Sequence, residues 1–248
     1  MAKLNSIRAM TKVDAIKALM KDNGGVASWK YIYDNIERYY PAAKSSPEWK
    51  AGIRGVLYRE IKNKESFKKV GFGIFALEEY QEEKQIEEIH KDPVRMHSYM
   101  EGIMVELGNY ENHITFCADP TATFQANVFI NQLTTIEDFP DFTYPEINSI
   151  AKRIDVIWFS SKGYRFPKRA VEIVDSIGTL GESLSRMYQL KEFQTDFYVI
   201  APDKHIEKLH NTLSREPYSI ERDRFIVKNY DETIDYYKKR LELEKLKF

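Results

Sequence analysis

Two acidic residues stand inside otherwise apolar segments, Asp155 in IDVIWF and Glu172 in RAVEIV. Both segments are rich in β-branched and aromatic residues, and SSKGY between them carries turn residues, so the stretch reads as two strands of a hairpin. The midpoint of the two acids falls on Gly163 and Tyr164 in that turn. A symmetric hairpin then sets Asp155 opposite Glu172, with Cβ atoms about 4.5–5.5 Å apart. Like charges facing each other on a half-buried sheet are unfavourable unless something positive lies between them. A divalent cation meets that need, and Mg²⁺ typically takes one or two carboxylates together with phosphate oxygens of a substrate. Acids on strands more often face solvent, but Ile154, Val156, Val171 and Ile173 flank this pair and point to burial.

The order IDVIWF, hairpin, VEIVDS, then SLSRMYQLKEF and FYVIAPD resembles the PD-(D/E)XK superfamily of restriction-endonuclease-like proteins. The resemblance implies phosphodiester hydrolysis of double-stranded DNA, with Asp155 and Glu172 as ligands of a catalytic Mg²⁺. The bound ion would hold the scissile phosphate and lower the pKa of an attacking water. The pattern departs at its third position, where Val174 stands in place of a lysine or a second acid. Side chains alternate along a strand, so Val174 and Ser176 share the face of Glu172, and Ser176 is a candidate to position the water. Lys168, Arg169 and Arg186 are the basic residues nearest in sequence, each with an ordinary solvated or ion-paired alternative. In related nucleases an acid of the preceding helix approaches the metal, which makes Glu106 and Glu101 further candidates.

The elements that must carry this site come after a different kind of segment. Residues 1–75 hold 15 Lys+Arg against 7 Asp+Glu, whereas the remainder holds 22 against 31, an asymmetry hidden by the net charge of −1. A basic first third attached to an acidic remainder predicts a polyanion contact in the first part. There TKVDAIKALMK is an amphipathic helix with Thr11 as N-cap and Asp14 in capping-box position. Asn23-Gly24-Gly25 ends it. SWKYIYDNIERYY is a second helix with Ser28 as N-cap, and EWKAGIRGVLYREI a third, with Lys50, Arg54 and Arg59 outward. SFKKVGFGIFALEE follows as a two-stranded wing bearing Lys68 and Lys69. Three helices and a wing describe a winged helix-turn-helix, whose third helix is the expected major-groove reader. ALMKDNGGVA, IYDNI, WKAGIRGVL and GFGIFAL also resemble the winged-helix module attached to restriction enzymes. Lys50, Arg54, Arg59, Lys68 and Lys69 are the DNA-contact candidates.

The expected fold class is thus α+β, a winged helix-turn-helix over 1–78 and a restriction-endonuclease-like domain with a mixed central sheet over 93–248. The acidic tract 79–92 is expected to be a helical or extended linker. VRMHSYMEGIMVELGNY is an amphipathic helix ended by Gly108, ENHITFCADP a strand, and TFQANVFINQL ambiguous between helix and strand. EDFPDFTYPEINSI reads as loop. FYVIAP is a strand apolar on both faces, followed by helix DKHIEKLHNTLSREP, strand RFIVKNY and a closing helix. The histidines show no spacing that singles out a metal or nucleophile site. One cysteine, Cys117, excludes an internal disulfide. The absence of an 18-residue apolar run or an N-terminal h-region predicts a cytoplasmic protein without a membrane span. Symmetric cleavage of a duplex predicts a homodimer. Two other classes stay open: a sequence-specific DNA-binding regulator that has lost catalysis, and a protein-interaction module whose winged helix reads no DNA.

Overall fold

The computed structural model describes residues 10–246, which divide between Gln81 and Glu82 into two compact units. In the first unit, helix α1 (Lys12–Asp22) opens with the expected capping box: Thr11 Oγ1 accepts from the Asp14 amide at 3.1 Å. Gly24 and Gly25 have φ of +76° and +88°, a left-handed turn that glycine enters without cost. That turn leads into a short strand β1 (Val26–Ser28), which periodicity did not reveal because only three residues form it. Ser28 caps helix α2 (Trp29–Asn35) through the Tyr31 amide. Helix α3 (Trp49–Lys62) follows, then strands β2 (Phe67–Lys69) and β3 (Ile74–Leu77). The three strands are antiparallel in the order β1-β3-β2. Ile16, Leu19, Ile32, Ile53, Leu57 and Phe75 form the core beneath them. Each such side chain contributes about 1.5–3 kcal/mol on burial.

The second unit begins with helix α4 (Glu82–His90), formed by the charged tract 79–92. Ile86 and Ile89 of α4 are buried, so this helix packs as part of the unit. Asp92 then caps helix α5 (Pro93–Tyr110), its carboxylate accepting from the amides of Val94 and Arg95. α5 is buried along nearly its whole length. Gly108 does not end it, as the sequence reading expected. A Cβ there would lie 2.6 Å from Thr115 Cγ2 and 2.8 Å from the Trp158 ring, so this glycine is required by close packing of helix on sheet.

Strand β4 (Ile114–Cys117) leaves α5, and the ambiguous stretch folds as a small hairpin of β5 (Thr123–Gln125) and β6 (Val128–Phe129). Helix α6 (Pro145–Ala151) begins at a proline inside the stretch read as loop. Then come β7 (Val156–Phe159), β8 (Pro167–Ile173), α7 (Leu180–Tyr188), β9 (Asp196–Ala201), α8 (Asp203–Leu213), β10 (Phe225–Asn229) and α9 (Tyr230–Lys245). The central sheet has the order β10-β9-β8-β7-β4. β4, β7 and β8 are antiparallel neighbours, whereas β8, β9 and β10 are parallel. Parallel neighbours need crossovers, supplied by α7 and α8. The unit is therefore mixed α/β around a mixed sheet. No helix among the described residues is long and apolar enough to cross a membrane.

Candidate metal centre at the end of the central hairpin

The hairpin register pairs Val156 with Val171, and one step further sets Asp155 opposite Glu172. Their side chains nonetheless take different partners. Asp155 Oδ2 accepts from the Ile173 amide at 2.7 Å. Glu172 is fully buried and is held by Arg186 of α7, with Nε donating to Oε1 at 2.8 Å and Nη2 to Oε2 at 2.5 Å. The positive charge beside Glu172 is thus a bidentate guanidinium, whereas Asp155 takes a backbone amide. Arg186 also reaches Glu182 at 3.1 Å and Ser183 at 3.3 Å.

Asp155 instead meets α5. His97 and Glu101, one helical turn apart on the same face, bring Nε2 to 3.7 Å from Glu101 Oε1 and 3.9 Å from Asp155 Oδ2. One ligand atom from each of the three lies within 4.8 Å of the others. His97 Nδ1 is 2.6 Å from Asp175 Oδ2. The other Asp175 oxygen accepts from Tyr230 Oη at the start of α9, and its carbonyl accepts from His205 Nε2 of α8 at 3.0 Å. A cleft of about 510 Å³ opens here. Its described walls carry His97, Glu101, Asp119, Asp155 and Asp175 but neither lysine nor arginine.

Four carboxylates around one imidazole demand positive charge. Burial raises Asp155 to about 6, against the lowering influence of the Ile173 amide and His97. Burial also raises Glu101, with His97 opposing. Burial by itself would lower His97, but its bonds to Asp175 and Glu101 outweigh it and lift the imidazole to about 10. Without metal, the proton on His97 is the counter-charge of the cleft. The donor set of two carboxylate oxygens and one imidazole nitrogen suits a divalent ion, and the Asp175 carboxylate behind His97 is the usual outer partner of a metal-binding histidine. Glu172 is raised to about 7 by burial, and Arg186 works against that rise.

The remaining expected site residues lie in other settings. Ser176 is exposed and its Oγ caps a turn through the Gly178 amide at 3.3 Å. Glu106 is buried and accepts from Tyr237 Oη at 2.7 Å, outside the three-residue group. Val174 is fully buried in the core with Leu180, Leu184 and Met187. Arg169 pairs with Glu111 at 2.8 Å over the Trp158 ring.

In the first unit Lys50, Arg54 and Arg59 of α3 are exposed as expected. Lys50 lies over the rings of Tyr33 and Trp49, and Arg54 donates to Tyr33 Oη at 3.3 Å. Lys68 and Lys69 of the wing are more enclosed. Lys68 Nζ is tied to the carbonyls of Glu78 and Tyr80 at 2.9 and 2.6 Å, and Lys69 is buried.

Sequence reasoning missed His97, Asp175 and Tyr230. The four-residue spacing of His97 and Glu101 on a predicted helix was the available signal. The fold and cleft are those of a mixed α/β protein with an acidic, metal-suited centre. Residues 78–245 match the family model described as the Type II restriction enzyme NmeDI C-terminal domain. That match spans more than half of the chain, and the chain belongs to this family. No curated protein matches it in sequence.

Proposed function

We propose that this chain is a type II restriction-like endonuclease that hydrolyses double-stranded DNA with a divalent ion, Mg²⁺ by the resemblance. The reading takes the second unit as a PD-(D/E)XK nuclease fold and the first as a winged-helix DNA reader, in a cytoplasmic homodimer. The observation that carries it is the meeting of Asp155, Glu101 and His97 in one acidic cleft, within a family named for a restriction enzyme. A bound divalent ion would supply Lewis-acid stabilisation at the phosphate and a more acidic water. Asp155 and Glu101 would hold that ion from the strand end and from α5. Burial on α5 and the Ile173 amide keep both carboxylates in place before substrate arrives. Asp119, on the cleft wall outside the ligand trio, is the acid that would accept a proton from the attacking water. α3 would lie in the major groove with Lys50, Arg54 and Arg59 on phosphates or base edges.

The test is cleavage of phage or plasmid DNA at low salt with Mg²⁺ or Mn²⁺. Discrete fragments from wild type, lost in Asp155→Asn while gel-shift affinity stays within a few-fold, are the expected outcome. Retained cleavage in Asp155→Asn removes the cleft from the reaction. A second reading, a DNA-binding regulator without catalysis, is favoured by one feature: Glu172 is saturated by Arg186 while Val174 fills the core. A gel shift by wild type with no cleavage under either ion would select it.

A further inference from the structure

The donor set argues against Mg²⁺ as the preferred ion. Mg²⁺ and Ca²⁺ take oxygen ligands, and Mg²⁺ in particular keeps its waters. Imidazole suits Zn²⁺, Cu²⁺, Fe²⁺ and Ni²⁺, and affinity at a mixed N/O site rises along the first row from Mn²⁺. His97 is also unusually well fixed for an incidental ion-pair partner. Its Nδ1 is bound by Asp175 Oδ2 at 2.6 Å, which in the neutral ring makes Nδ1 the donor and leaves the Nε2 lone pair on the side of Glu101 and Asp155. Asp175 is held in turn from two further elements, by Tyr230 of α9 at its other oxygen and by His205 of α8 at its carbonyl. Carboxylate, then histidine, then an open position between two more carboxylates is the order of groups found around a metal-ligating imidazole.

We propose that the cleft selects a first-row transition ion, of the Mn²⁺ to Zn²⁺ class, over Mg²⁺ and Ca²⁺, with His97 Nε2 as a ligand and Asp175 as the residue that positions it. This rests on the metal centre of the nuclease reading and not on its substrate. Mn²⁺ binds N/O sites most weakly within that class, so it is the strictest probe. It also reports its ligands magnetically.

The experiment loads the full chain with Mn²⁺ and records pulsed electron paramagnetic resonance for nitrogen coupling. Calorimetric titrations then compare Mn²⁺ with Mg²⁺ for wild type, His97→Asp, His97→Gln and Asp175→Asn. The wild type is expected to show imidazole nitrogen coupling that both His97 variants lose. The preference for Mn²⁺ over Mg²⁺ should fall at least roughly tenfold in His97→Asp, whose donors are all oxygen. Asp175→Asn should weaken Mn²⁺ by about 10–100-fold while keeping the nitrogen coupling. His97→Gln serves should the Asp variant fail to fold. Absent coupling in wild type, coupling that survives the loss of His97, or an unchanged ion preference would each overturn the proposal, as would failure of Mn²⁺ to bind. Mg²⁺-driven cleavage without nitrogen coupling would overturn it and leave the nuclease reading standing. Nitrogen coupling with no cleavage under any ion would do the reverse.

Discussion

Replacing Arg186 by Met tests whether Glu172 is a structural acid held by α7. Glu172 is fully buried and Arg186 is 17% exposed. Removing one partner of a buried ion pair costs about 3–5 kcal/mol, because the other charge stays uncompensated. Water reaches the Arg186 side, so the lower end, about 3 kcal/mol, is expected. For a unit of this size that corresponds to a fall in Tm of roughly 6–12 °C. The sign with pH follows from the carboxyl. Burial already lifts Glu172 to about 7, above its ordinary value, and loss of the guanidinium lifts it further. The unfolded chain ionises first, so stability falls as pH rises from about 4.5 through the folded pKa. The Arg186→Met penalty should therefore be small at pH 5 and full at pH 8. Adding Glu172→Leu should recover most of it, since an apolar pair of similar volume replaces a buried ion pair at little cost. Thermal melts of the wild type, the single and the double variant at both pH values are the assay. A loss under about 1 kcal/mol at pH 8, or an equal loss at both pH values, would refute the pairing, since breaking a buried pair costs more than that.

Three further outcomes are expected. Replacing Lys50, Arg54 and Arg59 together by Ala should lower the salt slope of DNA affinity by about 0.9 for each phosphate no longer neutralised, whereas Lys68→Ala should change stability and leave that slope intact; an unchanged slope in the triple variant removes α3 as the DNA-binding element. Gly108→Ala, with its Cβ driven against Thr115 and Trp158, should cost about 1–3 kcal/mol by overpacking, while Gly181→Ala, which meets nothing within 4 Å, should be neutral or stabilising in the same melts. Ion affinity should rise with pH, because the bonds to Asp175 and Glu101, against burial, hold His97 protonated up to about 10 and a metal must displace that proton; in the metal-free protein the stability contributed by this group is complete below about 6.5 and is lost as pH rises from there through about 10. Calorimetry at pH 7 and pH 9 checks the affinity, and equal values would remove His97 from the ligands.

The hairpin and its register were legible because they rest on local facts, turn residues and the two-residue alternation of strands. The same holds for the caps at Thr11 and Ser28, each a side chain satisfying an amide three residues on. What strand alternation cannot supply is the element that arrives from elsewhere. Asp155 and Glu172 were correctly set opposite one another, yet their partners come from α5 and α7, whose placement depends on tertiary packing. His97 with Glu101 was legible in principle, as an acid and an imidazole four apart on one helix. Asp175 and Tyr230 lie far apart in sequence and meet only because α9 returns to the sheet. Ser176 followed alternation beyond the point where the strand ends at Ile173, and there the backbone turns and the side chain becomes a cap.

Val174, at the position where the resembled pattern carries a lysine, and the captive Glu172 have one physical cause. Glu172 and Val174 follow each other on the face of β8 that α7 covers: Glu172 takes Arg186, and Val174 packs with Leu180, Leu184 and Met187. A lysine at 174 would place an ammonium in that apolar cluster, where an unpaired charge costs several kcal/mol, so the position cannot serve a cleft while α7 sits there. Asp155 escapes because it precedes β7 and its carboxylate turns to the Ile173 amide and α5. In the proposed centre the acids beside α5, Glu101 and Asp155, would then hold the ion with His97, while Glu172 stays with Arg186. On this account Arg186 and His97 are linked. Placing a lysine at 174 should destabilise the second unit without raising ion affinity. A Val174→Lys/Arg186→Leu variant should still lack a gain in Mn²⁺ affinity, because Leu184 and Met187 continue to cover the strand. A gain in either variant would mean that the face of β8 under α7 is open to the cleft after all.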